Sequence, residues 1–129
     1  MKRLCIILTL MSVGVAVVAW SVHWHLKRQL MLAAFIDFET NTSRRLLNDF
    51  RDAAPEDQTA LARQRLTFLM HYYTYRRPGL TTPALRQMVD DNYEHTTRDI
   101  VRLLQKLSPK NLGDEPENWI EYPLGRVTK

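Results

Sequence analysis

The chain has 129 residues, a formal net charge of +4, one cysteine and 45% hydrophobic residues. This length predicts one domain, and about 100 residues outside the apolar N-terminal stretch are enough for a small core. Without Lys2 and Arg3, sixteen basic residues stand against fourteen acidic ones, and because the two signs are interspersed, the composition does not favour nucleic-acid binding.

Residues 4–22 form an apolar stretch around which the chain is organised. No charged residue interrupts it, and as a helix it would extend ~28 Å, close to the ~30 Å hydrocarbon core of a bilayer. Cys5 lies inside this stretch and is the only cysteine, so a disulfide within the chain is excluded and no redox compartment is indicated. We expect the stretch to cross a membrane as a single-pass helix.

Two interpretations of residues 1–25 remain open. They form either an uncleaved transmembrane signal anchor or a signal peptide that is cut near Ala19. The anchor is favoured because no polar or helix-breaking segment precedes Ala19 and because the apolar run is long for a signal peptide. An anchor would end in amphipathic aromatic and basic residues at the membrane interface. The residues expected there are Trp20, Trp24, Lys27 and Arg28.

The orientation of this anchor follows from the charges on its two sides. Lys2 and Arg3 precede the apolar stretch and Lys27 and Arg28 follow it, so the positive-inside rule is nearly balanced. Translocation of a short charged N-terminal tail would need a reason, and the sequence offers none. We therefore expect the N-terminus in the cytoplasm and the bulk of the chain outside, in the periplasm if the cell is bacterial.

Beyond the apolar stretch, the sequence predicts an all-α fold. A small antiparallel three-helix bundle is expected over residues 26–108, followed by an irregular aromatic tail over residues 109–129. Short proline-marked links at 54–55 and 78–82 require neighbouring helices to pack antiparallel. The predicted helices span about 26–54, 55–77 and 83–107.

The first of these helices carries a stripe of apolar and small residues at spacings of three and four. The predicted inner face consists of Ile36, Thr40, Ser43, Leu47, Phe50 and Ala54, widened by Phe35 and Leu46. The second helix begins at Pro55, which suits the first position of a helix, and Pro78–Gly79 ends it. Thr82 is the predicted N-cap of the third helix.

Two clusters are candidate partner-binding sites. Aromatic rings beside guanidinium groups are typical of energetically important residues in protein interfaces, and apolar residues in a loop-like tail dock either on their own domain or on a partner. The alternative for the first cluster is that the tyrosines pack the bundle and the arginines stabilise the helix end. The candidate residues are Tyr72, Tyr75, Arg76 and Arg77 in the first cluster and Trp119, Ile120 and Tyr122 in the second.

No catalytic, cofactor-binding or metal-binding residues are expected. His23 and His25 are two residues apart, so on a helix they point ~200° away from each other and do not readily hold one ion. The sequence contains no glycine-rich phosphate loop and no recognisable nucleophile motif. A redox subunit that uses His23 or His25 is therefore only a third hypothesis.

The sequence favours a membrane-anchored helical interaction or accessory subunit that docks a larger membrane or envelope protein and has no chemistry of its own. Its expected partners are the lipid bilayer and one protein, not nucleic acid, and a homo-oligomer is left open. The alternative is an exported soluble binding protein, such as an inhibitor or immunity protein, released by cleavage near Ala19.

Overall fold

A computed structural model describes the backbone of residues 2–120 and the side chains of residues 6–120. Within these residues the chain is helical and contains no strand, which confirms the predicted all-α class. There are three α-helices: α1 (Lys2–Asp49), α2 (Pro55–Arg76) and α3 (Pro83–Leu107). Two short 3-10 turns, Arg77–Gly79 and Pro116–Trp119, follow α2 and α3.

α1 is one unbroken helix of 48 residues, so the apolar stretch and the first packed helix are a single element. The boundary predicted between residues 25 and 26 lies in the middle of this helix. Asn41–Thr42–Ser43, whose side chains compete for backbone hydrogen bonds, do not interrupt it either. Among the described residues, α1 is the helix whose length and apolar composition would allow it to cross a membrane.

The two parts of α1 differ in burial. Residues 6–28, here called the exposed segment, are accessible on every side. From residue 29 onward, one stripe of α1 is covered by α2 and α3, and we call residues 29–120 the packed region. The buried α1 residues are Gln29, Ala33, Ile36, Thr40 and Ser43.

α1 ends earlier than predicted, at Asp49 rather than near residue 54. Gln58 explains how the chain turns there, because its side-chain amide donates to the carbonyl oxygens of Arg51, at 2.8 Å, and Ala53, at 2.6 Å. Phe50 and Ala54 consequently lie outside the helix and are exposed. Both were predicted on the inner face, and that prediction is wrong for them.

α2 and α3 begin and end close to the predicted positions. Pro55 occupies the first turn of α2, with Glu56 and Asp57 beside the positive end of its dipole. Thr82 stands at the N-cap position of α3, although its side chain makes no capping hydrogen bond. Both proline-marked boundaries follow from the lost N–H and the fixed φ of proline.

Each pair of helices is in contact, and the buried apolar residues form two clusters. The cluster far from the exposed segment consists of Ala62, Leu66, Leu69, Met70, Ile100, Val101, Leu104 and Trp119. The cluster near the exposed segment consists of Ala33, Ile36, Leu80 and Val89, with Tyr72 and Tyr73 packed against it. Burial of these side chains supplies the main stabilisation of the packed region.

Gln29 fixes the link between α2 and α3 against α1. Its buried side-chain nitrogen donates to the Gly79 carbonyl oxygen at 2.9 Å, and its oxygen accepts from the Thr81 backbone N–H at 2.7 Å. The link approaches α1 closely, since a Cβ on Gly79 would lie 2.8 Å from Leu32 Cδ2. The C-terminal end of α2 is thereby held beside the start of the packed part of α1.

Candidate functional site

A groove of about 600 Å³ lies between α1 and the C-terminal end of α2, where the exposed segment meets the packed region. Residues three and four positions apart share one face of a helix, and four such residues form the α1 side of the groove. They are Trp24, Arg28, Met31 and Phe35, with Lys27 beside them. Tyr75 and Arg76 line the opposite side.

Tyr72, Tyr75 and Arg76 lie together at the end of α2, as the sequence predicted. The Arg76 guanidinium carbon is 5.6 Å from the ring centroids of both tyrosines, a distance at which a cation and an aromatic ring attract each other. Tyr75 is 79% exposed, whereas Tyr72 is half-buried and stacks on Phe68 with 5.6 Å between centroids. Tyr75 and Arg76 therefore provide the accessible surface of this cluster.

Arg77, the fourth residue of the predicted cluster, is engaged elsewhere. Its guanidinium donates to both Asp90 carboxylate oxygens, with Nη2–Oδ2 at 2.8 Å and Nε–Oδ1 at 3.2 Å. The Tyr73 hydroxyl also donates to this carboxylate. Arg77 thus connects the end of α2 to α3, and its charge is neutralised within the packed region.

The protonation equilibria of this trio reflect these contacts. The hydrogen bond from Arg77 is the main cause that lowers the pKa of Asp90 below its usual range. Burial, followed by the hydrogen bond to Asp90, raises the pKa of Tyr73 to about 12. Burial also raises the pKa of Tyr93, whose ring stacks on Tyr73 with 3.7 Å between centroids. The ionised Asp90 and neutral Tyr73 are the forms that the fold stabilises.

The aromatic tail is divided between the core and the undescribed end of the chain. Trp119 is 1% exposed and packs in the core cluster, while its indole Nε1–H donates to the Gly113 carbonyl oxygen at 2.8 Å. Gly113 has a φ of 89°, a backbone conformation that favours glycine. Ile120 is half-buried against the same cluster, and Tyr122 lies outside the described residues. The Trp119 side chain is thus covered by its own chain and presents no surface to a partner.

The groove also contains three of the residues predicted at the membrane interface. Trp24, Lys27 and Arg28 line it, while Trp20 lies one turn before Trp24 and is 72% exposed. The sequence did not connect these residues with Tyr75 and Arg76, because helices far apart in the chain meet only after folding. The spacing from Trp24 through Met31 to Phe38 was the signal that sequence reasoning missed.

Phe35 is the clearest correction on α1. It was predicted to widen the inner face, but its side chain is 55% exposed and lies next to Met31 in the groove. Phe38, one turn further, is 63% exposed. α1 therefore carries a second apolar stripe outside the exposed segment, which neither α2 nor α3 covers.

The histidines do not form a metal centre among the described residues. The His25 imidazole lies 3.3 Å from the Thr81 hydroxyl, measured from Nε2, and residues 6–120 contain no group of three metal-ligating side chains.

Comparison of the chain with protein-family models, curated proteins and solved structures finds no match.

Proposed function

We propose that the protein is a single-pass membrane protein whose packed region, an antiparallel three-helix bundle, docks a partner protein of the same membrane. It acts as an accessory subunit and has no chemistry of its own. Residues 1–25 serve as an uncleaved anchor. The N-terminus lies in the cytoplasm and the bulk of the chain outside, which is the periplasm in a bacterial cell.

The observation that carries this proposal is the exposed apolar stripe on α1 beyond the apolar stretch. Met31, Phe35 and Phe38 lie in the packed region, yet all three are exposed. Exposed aromatic side chains that adjoin one another are typical of interaction surfaces. We call these three residues the docking stripe.

The occupant of the docking stripe is a helix of a membrane partner. The stripe continues the face of α1 that holds Trp20 and Trp24, at spacings of three or four residues or their sum. A partner helix that packs beside the exposed segment would therefore meet the docking stripe without changing direction. Such a partner buries Phe35 and Phe38, whose side chains are 55% and 63% exposed.

The proposal is tested with a photo-crosslinking amino acid at position 31 of the full-length protein in native membranes. We expect one adduct of defined mass that contains a second membrane protein. The double variant Phe35→Gln/Phe38→Gln should lose this adduct, whereas the matched control Met88→Gln/Leu112→Gln, which removes exposed apolar side chains elsewhere, should retain it. An adduct of twice the protein's own mass, or equal loss in both variants, would reject a membrane partner at the docking stripe.

A second candidate, an exported soluble binding protein released near Ala19, is supported by one observation. Among the side chains of residues 6–120 the first buried one is that of Gln29, so removal of residues 1–19 would leave the described core complete. Against cleavage, α1 continues through Ala19 and Trp20 without a helix break. Intact mass distinguishes the two candidates: the anchor requires Met1–Lys129 in the membrane fraction, and cleavage would yield Trp20–Lys129 in the soluble exported fraction.

A further inference from the structure

The end of the packed region that adjoins the exposed segment is built largely from two chain segments without acidic residues. The chain has no acidic residue before Asp37, and residues 58–89 contain five arginines but no acid. These segments meet where the C-terminal end of α2 and the link to α3 lie against α1. At the other end, acidic residues lie at the end of α1, in the link and in the first turn of α2: Asp49, Asp52, Glu56 and Asp57. The end beside the exposed segment is therefore basic, and the far end is rich in acids.

Three cations of the basic end converge on the groove. Lys27, Arg28 and Arg76 line it, and no acidic residue does. All three are exposed, and none forms an ion pair with a described residue. Arg77, by contrast, is neutralised by Asp90. The groove thus presents an uncompensated positive charge together with the rings of Trp24 and Tyr75.

The position of these cations along α1 matches the headgroup layer of a membrane. Lys27 and Arg28 follow the end of the apolar stretch by five and six residues, which corresponds to ~8–9 Å along the helix. The polar headgroup region begins at the hydrocarbon edge and is about 6 Å deep on each side, so the backbone of Lys27 and Arg28 lies just beyond it and their long side chains reach back into it. Trp24 lies between, at the depth that tryptophan prefers.

We propose that the groove binds the headgroup phosphate of an acidic phospholipid from the leaflet in which α1 emerges. The Arg76 guanidinium carbon lies 5.6 Å from the ring centroids of Tyr72 and Tyr75, and guanidinium N–H groups suit the oxygens of a phosphate. Lys27 and Arg28 add charge from the α1 side. Basic residues directly beside a transmembrane helix attract acidic lipids in this way.

This lipid site orients the packed region on the membrane. α1 alone would leave the packed region free to rotate about the helix axis, whereas a lipid held between α1 and α2 fixes the groove toward the bilayer. The docking stripe, which begins in the same groove at Met31, is then presented in one direction. The site rests on the membrane anchorage proposed above.

The test uses the full-length protein in nanodiscs of mixed phosphatidylcholine and phosphatidylglycerol, with lipid retention measured by native mass spectrometry. We expect the wild type to retain one phosphatidylglycerol in preference to phosphatidylcholine. Each cation beside an anionic lipid raises binding about fivefold, so Lys27→Gln/Arg28→Gln/Arg76→Gln should lower retention about 100-fold. The matched control Arg98→Gln/Arg102→Gln/Lys106→Gln removes the same charge from exposed positions of α3 and should retain the lipid.

A second measurement needs no variant. Retention by the wild type should fall as salt rises, because charges separated by more than about 10 Å are screened at 0.1 M ionic strength. Equal retention of both lipids, equal loss in the control, or displacement by inorganic phosphate would overturn the lipid site. These outcomes leave the docking stripe intact, since Phe38→Gln, whose side chain does not line the groove, should weaken the partner adduct and keep the lipid.

Discussion

The exposed segment and the packed part of α1 are the same helix in two different environments. Over residues 6–28 every side chain is exposed, whereas from Gln29 to Ser43 one face is buried. Trp20 and Trp24 in the first part are exposed, while Trp119, which closes the core, is 1% exposed. An apolar side chain therefore stabilises this fold only where a second element reaches it, and the remaining apolar surface is available to lipid or a partner.

Removal of a tryptophan from each environment gives the largest expected contrast. Trp119→Ala should lower the free energy of unfolding by about 3–5 kcal/mol, because it leaves a cavity in the core cluster. Trp24→Ala should change it by less than about 0.5 kcal/mol, since exposed substitutions away from specific contacts have little effect. Chemical unfolding of the full-length protein in detergent, followed by circular dichroism, measures both. Equal stability of the two variants would show that the tail does not close the core.

Gln29 is the residue at which the packed part of α1 begins. Its substitution should weaken the attachment of the link between α2 and α3 to α1. Gln29→Leu should destabilise the fold by about 2–3 kcal/mol, because it leaves the Gly79 carbonyl and the Thr81 N–H without their buried partner. Gln87→Leu on the exposed face of α3 is the matched control and should be nearly neutral. The same unfolding experiment measures both variants. If Gln29→Leu left the free energy of unfolding unchanged, the link between α2 and α3 would be held by apolar packing alone.

The trio of Tyr73, Arg77 and Asp90 predicts how pH acts on the packed region. The folded state lowers the Asp90 pKa, so its stabilising contribution is present above the unfolded value of ~3.9 and is lost as pH falls through the folded value. Tyr73 acts in the opposite direction, because the folded state raises its pKa to about 12. Its stabilising contribution is present below the unfolded pKa of ~10 and is lost as the pH rises toward about 12.

Unfolding curves across pH test this dependence. Because the ion pair is partly exposed, we expect a contribution of about 1 kcal/mol or less from it. In a plot of the free energy of unfolding against pH, Asp90→Asn should reduce the fall on the acid side (the acid limb). Tyr73→Phe should reduce the fall on the alkaline side (the alkaline limb). His95→Asn, which alters an exposed ion pair within α3, should leave both limbs unchanged. Persistence of the acid limb in Asp90→Asn would assign it to other carboxylates.

Substitution of Ser43 should have the smallest effect on the free energy of unfolding, and it should stabilise the fold where the substitutions above destabilise it. Its hydroxyl is buried and makes no hydrogen bond to a described residue, unlike that of Thr40, which donates to the Ile36 carbonyl at 2.8 Å. Ser43→Ala should therefore raise the free energy of unfolding by a few tenths of a kcal/mol up to about 1 kcal/mol. Thr40→Val is the comparison variant, and a destabilising Ser43→Ala would indicate that the hydroxyl has a partner in solution.

Local rules predicted much of the helical framework. Pro55, Pro78 and Pro83 fixed the ends of α2 and the start of α3, because proline lacks an N–H and restricts the residue before it. The end of α1 was missed, since two hydrogen bonds from the Gln58 side chain, which lies beyond the helix, hold the turn there and leave no trace in the apolar periodicity. Phe35 was misplaced for a related reason: helix periodicity finds apolar faces but does not say which face a neighbouring helix covers.

The sequence by itself determined the all-α class, an N-terminal helix long and apolar enough to cross a membrane, and the positions of Trp24, Lys27 and Arg28 just after its apolar stretch. These properties depend on apolar length, proline position and charge, which are local along the chain. Only the tertiary structure decided that Trp119 belongs to the core, that Arg77 is neutralised by Asp90, and that Arg76 meets Lys27 and Arg28 across one groove. Those pairings join residues far apart in sequence, and packing alone brings them within contact distance.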